Sequence, residues 1–262
     1  MASSLWRNRN LIHALVEREV VGRYRGSFMG ILWSFFNPLL MLTVYTFMFS
    51  VVFKARWSGG SESRTEFALI LFAGIIVFNV FSECVNRAPG CILNNSNYVK
   101  KVLFPLETLP FVALGSALFH SLISIMVWLL AYVLLFGTPH VTTLLLPLIL
   151  LPIALFSLGL TWALAALGVY LRDVAQVVGI FTTALMFLSP IFYPVSALPE
   201  TYRPLMQLNP LTPSIEQARD ILFWRRLPDM STFGLSMLAG LLVAWTGFAC
   251  FQKIRKGFAD VL

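Results

Sequence analysis

Charge is what this sequence has least of. Only 12% of its 262 residues are Asp, Glu, Lys or Arg, about half the share in an ordinary soluble domain. A water-facing surface of normal size cannot be built from so few charges. Soluble enzymes and nucleic-acid-binding modules are therefore excluded, in spite of a formal net charge of +7. Cysteine is also scarce. Cys84, Cys91 and Cys250 have no C-x-x-C spacing, which removes the secreted disulfide scaffolds. They read as small apolar packers, although Cys84 and Cys91 flank a polar stretch and are near enough to meet. The three histidines form neither H-x-x-x-H nor H-E-x-x-H, and no G-x-x-x-x-G-K-[ST] phosphate loop occurs. The chain thus has no metal or nucleotide motif of these kinds. It also lacks the row of intramembrane carboxylates that ion-coupled transporters carry. Active transport by such a chain has to draw its energy from a partner.

What is abundant is apolar: 58% of residues are hydrophobic and mean hydropathy is +0.80. This is the composition of an all-α integral membrane protein. The first 27 residues are polar and charged, and the run from Phe28 to Phe53 is too long for the apolar core of a signal peptide. No cleavable leader is expected, and the chain inserts through its own first span. Uncharged runs cover 28–53, 67–82, 108–171, 174–199 and 230–252. A spanning helix needs about 20 residues. The 64-residue run 108–171 is therefore two helices, divided at Gly137-Thr138-Pro139-His140, where Gly and Pro interrupt it. Six spans follow, near 31–53, 67–87, 109–136, 142–169, 174–193 and 233–252. An even number puts both termini on one side. Placing them in the cytoplasm puts 12 of the 19 Lys and Arg residues inside, as the positive-inside rule prefers. The basic excess then faces anionic lipid and the cytosol.

Residues 1–27 read as a separate amphipathic element on the cytoplasmic interface, ahead of a permease domain over 28–262. Leu11, Ile12, Leu15 and Val16 share one arc, with Arg9, His13 and Glu17 opposite. Glu19 and Arg23 intrude on the apolar arc, where their i, i+4 spacing lets them neutralise each other. Gly22, Gly26 and Gly30 are spaced by four. That spacing serves close helix contact or a bend into span one. The 39 residues 194–232 between spans five and six lie outside. They are proline-rich yet carry Leu205, Met206, Ile221, Leu222, Phe223 and Trp224, which fits short broken helices dipping into the membrane.

Ionisable groups within the spans are few. Between Glu107 and Arg172, His120 is the one histidine or charged residue within a span, His140 lying in the turn, and it should face protein or a cavity rather than lipid. Asn79, Glu83, Asn86 and Arg87 cluster near the end of span two, with Glu83 and Arg87 at pairing distance. Arg172 and Asp173 mark the turn between spans four and five, where adjacent residues need separate partners. Aromatics are plentiful, at 23 Phe, 7 Trp and 7 Tyr. Most must face lipid or form interface belts, but aromatic faces also stack on sugar rings. Trp33, Phe36 and Tyr45 on span one, with Phe187, Phe192 and Tyr193 at the outer end of span five, are the candidates to line a substrate channel. Two cytoplasmic elements are candidates to dock an energy-supplying partner: the surface helix, and the 2–3 loop with Tyr98, Lys100 and Lys101.

These pieces resemble a known family. Arg23-Tyr24-Arg25-Gly26-Ser27 precedes Gly30, Trp33 and Pro38. Then come Lys100-Lys101-Val102-Leu103-Phe104-Pro105-Leu106-Glu107, Arg172-Asp173, Ser189-Pro190-Ile191-Phe192-Tyr193-Pro194 and Asn209-Pro210. In that order among six spans, they resemble the permease subunits of type-2 ABC exporters that move O-antigen, capsule or teichoic-acid chains. The resemblance covers essentially the whole chain and looks closest to permeases of the O-antigen and lipopolysaccharide type. It implies a homodimer with two ATP-binding cassette subunits, a lipid-linked polysaccharide as cargo and a bacterial inner-membrane location. ATP and Mg²⁺ would be bound by the partner, with no cofactor in this chain and no nucleic acid involved. It further implies that the surface helix and 2–3 loop (Glu17, Arg18, Arg23, Tyr24, Arg25, Tyr98, Lys100, Lys101) contact the ATPase. The segment 194–232 would cap the exit, and Arg172, Asp173 and Pro190 would be structural or gating positions.

Two other readings compete. One keeps the fold and makes the cargo a drug or lipid. The other is a membrane-embedded transferase or hydrolase acting on a lipid-linked sugar, for which Glu83, His120 and Arg172 are the material. The topology puts those three at different depths.

Overall fold

A backbone crossing hydrocarbon has to satisfy its own hydrogen bonds, and each long apolar run folds into helix accordingly. The computed structural model describes residues 6–52, 64–99 and 104–261, and no strand occurs among them. An interface helix, Arg9–Arg23, precedes span one (Trp33–Thr46, continued as π-helix by Phe47–Val52), span two (Arg64–Arg87), span three (Leu109–Phe136), span four (Leu146–Tyr170), span five (Val174–Leu188) and span six (Met230–Ile254). Five helical stretches are long and apolar enough to cross a membrane, and Val174–Leu188 is a shorter apolar helix. Spans two, three, four and six start and stop within a few residues of expectation. Span five stops early, at Leu188 rather than near 193. Pro190 excludes helical geometry from the residue before it, and Ser189 is extended, with φ −92° and ψ 151°.

The three N-terminal glycines resolve to a bend. Gly26 and Gly30 have φ of +85° and +54°, and nothing lies within 4 Å of where a Cβ would sit on Gly22, Gly26 or Gly30. They reverse the chain from the interface helix into span one. They do not bring two helices together.

Span two is the axis of the bundle. From Phe67 to Phe81 it is buried on nearly every side, packed by spans one, three, four and five and by a short helix, Leu211–Arg219, from the segment after span five. The main core gathers Leu69, Phe72, Ile76 and Phe81 of span two with Trp128 of span three, Ile149 and Ile153 of span four and Leu211 and Ile215 of the short helix. Buried Trp128 donates its indole N–H to the Leu69 carbonyl at 2.9 Å. A second core, toward the end of the bundle where the chain terminates, joins Ile92, Phe111, Trp162, Phe251 and Phe258. There the Trp162 indole donates to the Glu107 carbonyl at 3.1 Å.

The expectation for 194–232 holds within the described structure. Turns at Val195–Ala197 and Glu200–Tyr202, then helices Arg203–Gln207 and Leu211–Arg219, break at the prolines. Leu211, Ile215, Ala218 and Ile221 are fully buried in the main core, so the segment enters the bundle and does not stand off it.

Spans four and six touch backbone to backbone. Side chains added at Gly159, Gly240 or Gly247 would overlap carbonyl groups of the facing span, and close approach of this kind is how membrane helices gain dispersion energy without a hydrophobic drive. Gly159→Val should therefore lower stability by about 2 kcal/mol, the scale of an overpacked core. Gly179→Ala, with nothing within 4 Å, should be silent. Thermal melting of the detergent-solubilised protein separates the two.

Candidate functional site

The interface helix is fastened to span two by charge. Glu19 and Arg23 were expected to neutralise each other, but they pair across to the neighbouring helix. Arg23 Nη2 donates to Glu83 Oε1 at 2.7 Å, and Glu19 forms an ion pair with Arg87. Both helices carry an acid and an arginine four residues apart, and laid side by side in opposed order they present complementary pairs. Glu83 also accepts from Arg87 at 3.4 Å within span two.

His120 of span three completes this cluster. Its Nδ1 lies 3.0 Å from Glu83 Oε1 and its Nε2 lies 3.2 Å from the Tyr24 hydroxyl. The network is satisfied when Nδ1–H donates to Glu83 and the phenol donates to Nε2. Burial pushes the Tyr24 phenol above its ordinary value, which keeps it a donor. The expectation that His120 faces protein is met. The expectation that Glu83, His120 and Arg172 lie at different depths is corrected for the first two. Arg87 reaches Ser116 at 3.2 Å while Glu83 reaches His120. Span three thus begins about two turns beyond the level at which span two ends, an offset set by the 2–3 connection. Arg172 stays apart: it and Asp173 are exposed in the turn. Neither has the separate side-chain partner expected of it among the described residues. With Glu83 engaged by two guanidiniums and an imidazole, the cluster is a joint between three helices, without the free base or nucleophile of a hydrolase.

Above the joint a cavity of about 310 Å³ opens between span one and spans two and three. Ser34, Asn37, Met41 and Tyr45 line it from span one, Phe72, Ile75, Asn79 and Glu83 from span two, and His120 and Ser124 from span three. Of the channel candidates, Tyr45 lines this cavity, whereas Trp33 and Phe36 do not. Phe36 lies edge-on to Phe35, with ring centroids 6.0 Å apart.

The three candidates at the outer end of span five come together. Phe187 stacks on Phe192 at 5.8 Å, and the Tyr193 hydroxyl donates to the Phe187 carbonyl at 3.1 Å. Phe192 stacks in turn on Phe49 of span one at 5.7 Å, and Phe49 meets Phe67 of span two at 5.6 Å. An aromatic row therefore crosses from span five to span one. Phe49 went unnoticed in the sequence because nothing sets it apart from its many apolar neighbours.

The two elements expected to dock a partner, the interface helix and the 2–3 loop, touch each other. Arg18 Nη1 donates to the Tyr98 hydroxyl at 2.7 Å, and Tyr98 stacks on Phe104 at 4.2 Å. Glu17 and Arg25 are exposed, while Lys100 and Lys101 lie outside the described residues. Burial pushes the Cys91 thiol up to about 12, consistent with a packing role, and all three cysteines are free. No group of three His, Cys, Asp or Glu residues that could hold a metal occurs among the described residues.

At the outer end Arg219, only 3% exposed, is a residue that pattern reading missed. It donates to the carbonyls of Pro190 at 2.6 Å, Ile191 at 2.7 Å and Ile70 at 3.1 Å, and to Glu216 at 3.0 Å. The guanidinium fits because Gly74 leaves room: a Cβ there would stand 3.0 Å from Arg219 Nη2. The Ser189-Pro190 and Asn209-Pro210 motifs meet beside it, where Asn209 Nδ2 donates to Ser189 Oγ at 2.9 Å.

A six-helix membrane bundle with a charge-fastened interface helix and a re-entrant outer segment is the architecture of a transport permease. The sequence profile described as ABC-2 type transporter matches residues 10–223. Over 262 residues the chain is 30% identical to the O-antigen export system permease protein RfbA of Myxococcus xanthus, covering 99% of this chain and 98% of that one. It is 24% identical over 255 residues to the O-antigen export system permease protein RfbA of Klebsiella pneumoniae, covering 97% and 95%. It is 23% identical over 246 residues to the polysialic acid transport protein KpsM of Escherichia coli, covering 92% of each. The chain belongs to the ABC-2 type transporter family.

Two predictions follow from the anchors. Glu83→Gln removes the negative charge shared by Arg23, Arg87 and His120 and puts an N–H2 donor in place of one carboxylate oxygen, which should cost about 1–3 kcal/mol. Hydrogen exchange across 9–23 should rise while the core of span two stays protected. Arg219→Lys replaces a planar fork of five N–H donors with three on a single nitrogen, which cannot span four separated acceptors. It should loosen 190–219 and lower the melting temperature, whereas Arg203→Lys, which is partly exposed, should change neither.

Proposed function

We propose that this chain is the channel-forming membrane subunit of an ATP-driven exporter. It moves a lipid-linked polysaccharide, in the first place O-antigen, across the bacterial cytoplasmic membrane. It works as a homodimer with two copies of an ABC ATPase, which binds ATP and Mg²⁺. The observation that carries the reading is the cross-paired interface helix. It gives an element rich in exposed charge, reaching Tyr98 of the 2–3 loop through Arg18, a direct connection through Arg23 and Glu83 to the central span. Motion imposed from below would be transmitted to the helices around the cavity. The names of the relatives narrow the cargo, since permeases named for O-antigen export match over nearly the full length.

The homodimer is supported by unpartnered apolar faces on spans one and five. Leu40, Val44 and Phe47 are exposed on the first, and Val177, Ile180 and Phe187 on the second. In this arrangement the aromatic row of Phe187, Phe192 and Tyr193, with Tyr45, Trp33 and Phe36, borders the polymer path. The segment 194–232 covers its outer exit. Arg172, Asp173 and Pro190 act at the turns on which span five moves. Both termini are cytoplasmic, the side on which the basic residues then predominate. Glu17, Arg18, Arg23, Tyr24, Arg25, Tyr98, Lys100 and Lys101 form or support the surface that meets the ATPase.

Co-expression with the ATPase encoded beside its gene tests the reading. The expected result is a stable complex with equal numbers of the two subunits that hydrolyses ATP, and loss of surface polysaccharide when the gene of this chain is deleted. A chain that purifies alone and whose deletion leaves surface polysaccharide unchanged would overturn it.

A further inference from the structure

The cavity above the joint contains an anomaly. Asn37 of span one and Asn79 of span two both line it, both are exposed, and neither amide has a side-chain partner among the described residues. Asn79 is the only exposed residue in an otherwise buried stretch of span two from Phe67 to Phe81. Two amides with unmet hydrogen bonds inside membrane-spanning helices are costly against lipid, so polar groups at such depth face a cavity that holds something polar.

The rest of the lining narrows what that is. Met41, Tyr45, Phe72 and Ile75 supply apolar and aromatic wall, and Ser34 and Ser124 add hydroxyls. The charges are already matched: Glu83 accepts from Arg23 at 2.7 Å and from Arg87 at 3.4 Å, and Arg87 also pairs with Glu19. No uncompensated cation remains to attract a phosphate or a carboxylate. An acyl chain would leave both amides unsatisfied. The ligand that fits has a C–H face to lie on an aromatic ring and a rim of hydroxyls to exchange hydrogen bonds with amides, and it carries no charge. The volume, about 310 Å³, is at the small end of ligand sites and suits a short stretch of chain.

We propose that this cavity is a binding subsite for an uncharged pyranose unit, with Asn37 and Asn79 as its hydrogen-bonding residues and Tyr45 as its stacking wall. The proposal rests on the polysaccharide-export reading and adds to it a place and a charge preference. A passing glycan is held there by neutral contacts, each weak enough to release.

The experiment uses the full permease–ATPase complex in cells deleted for the native gene, with surface glycan measured by immunoblot. If the wild-type chain restores no glycan, the export reading fails, whatever the cavity does. Where it does restore glycan, Asn37→Leu/Asn79→Leu should lower the surface amount about tenfold, the scale of one or two lost hydrogen bonds, with subunit ratio and ATP hydrolysis retained. Asn37→Gln/Asn79→Gln, which keeps the amides, should recover most of it. Wild-type export by the leucine variant overturns the subsite, and so does loss of assembly, which would mean that the amides hold subunits together. As a second measure, Met41→benzoylphenylalanine is irradiated during export. A permease band bearing periodate-reactive carbohydrate is the expected product. Adducts only with lipid or with a second permease would overturn the proposal.

Discussion

Span two is surrounded by protein, and most of what is particular to this structure is arranged around that fact. A helix buried on nearly all sides in a membrane bundle has little lipid or water to take up polar groups, so its polar groups need specific partners or, like Asn79, a cavity to face. At its C-terminal end the partner is the interface helix, through Glu83 and Arg87. At the outer end it is Arg219, which reaches the Ile70 carbonyl past the bare backbone of Gly74. The two peripheral elements, one before span one and one after span five, are thereby anchored to the same central rod.

The two anchors differ in kind. Arg219 is nearly inaccessible and bonded to carbonyls, which do not change charge. That makes a permanent clamp between span two, the turn after span five and the helix Leu211–Arg219. The Glu83 joint is partly accessible and made of charge pairs, whose attraction is modest where water reaches them. It holds three helices in register yet has a lower barrier to rearrangement. A firm outer clamp and a looser inner joint are what a bundle needs if motion enters from the cytoplasm and is passed along span two.

The aromatic row and the polar cavity are two environments along the inner face of span one. The row from Phe187 through Phe192 and Phe49 to Phe67 is apolar and stacked. The cavity lies nearer the cytoplasm and mixes amides and hydroxyls with Tyr45. Both suit a ligand with one greasy face and many hydroxyls, and neither requires a charge from it. This agrees with a chain whose relatives include permeases named for O-antigen export.

Much of this was legible in the residues and some of it was not. The membrane class, the number of spans, the surface helix and the broken segment 194–232 follow from composition and run length, because a helix in hydrocarbon must be apolar over a set length whatever it packs against. His120 and the cluster of polar residues on span two stood out for the same reason. Pairing was a different matter. Glu19 and Arg23 satisfied a local rule for each other, yet each found a partner on span two, because which face of one helix meets another depends on packing across the whole bundle. Asn37 and Phe49 gave no signal, one amide among hydroxyls and one ring among 23 phenylalanines. Arg219 was not singled out, because in linear order it is one of several basic residues in the segment 194–232. The linear order of the residues carries how much of the chain must lie in the membrane. Only the folded bundle decides which polar groups share a cavity and which satisfy one another, since those distances depend on helices far apart in sequence.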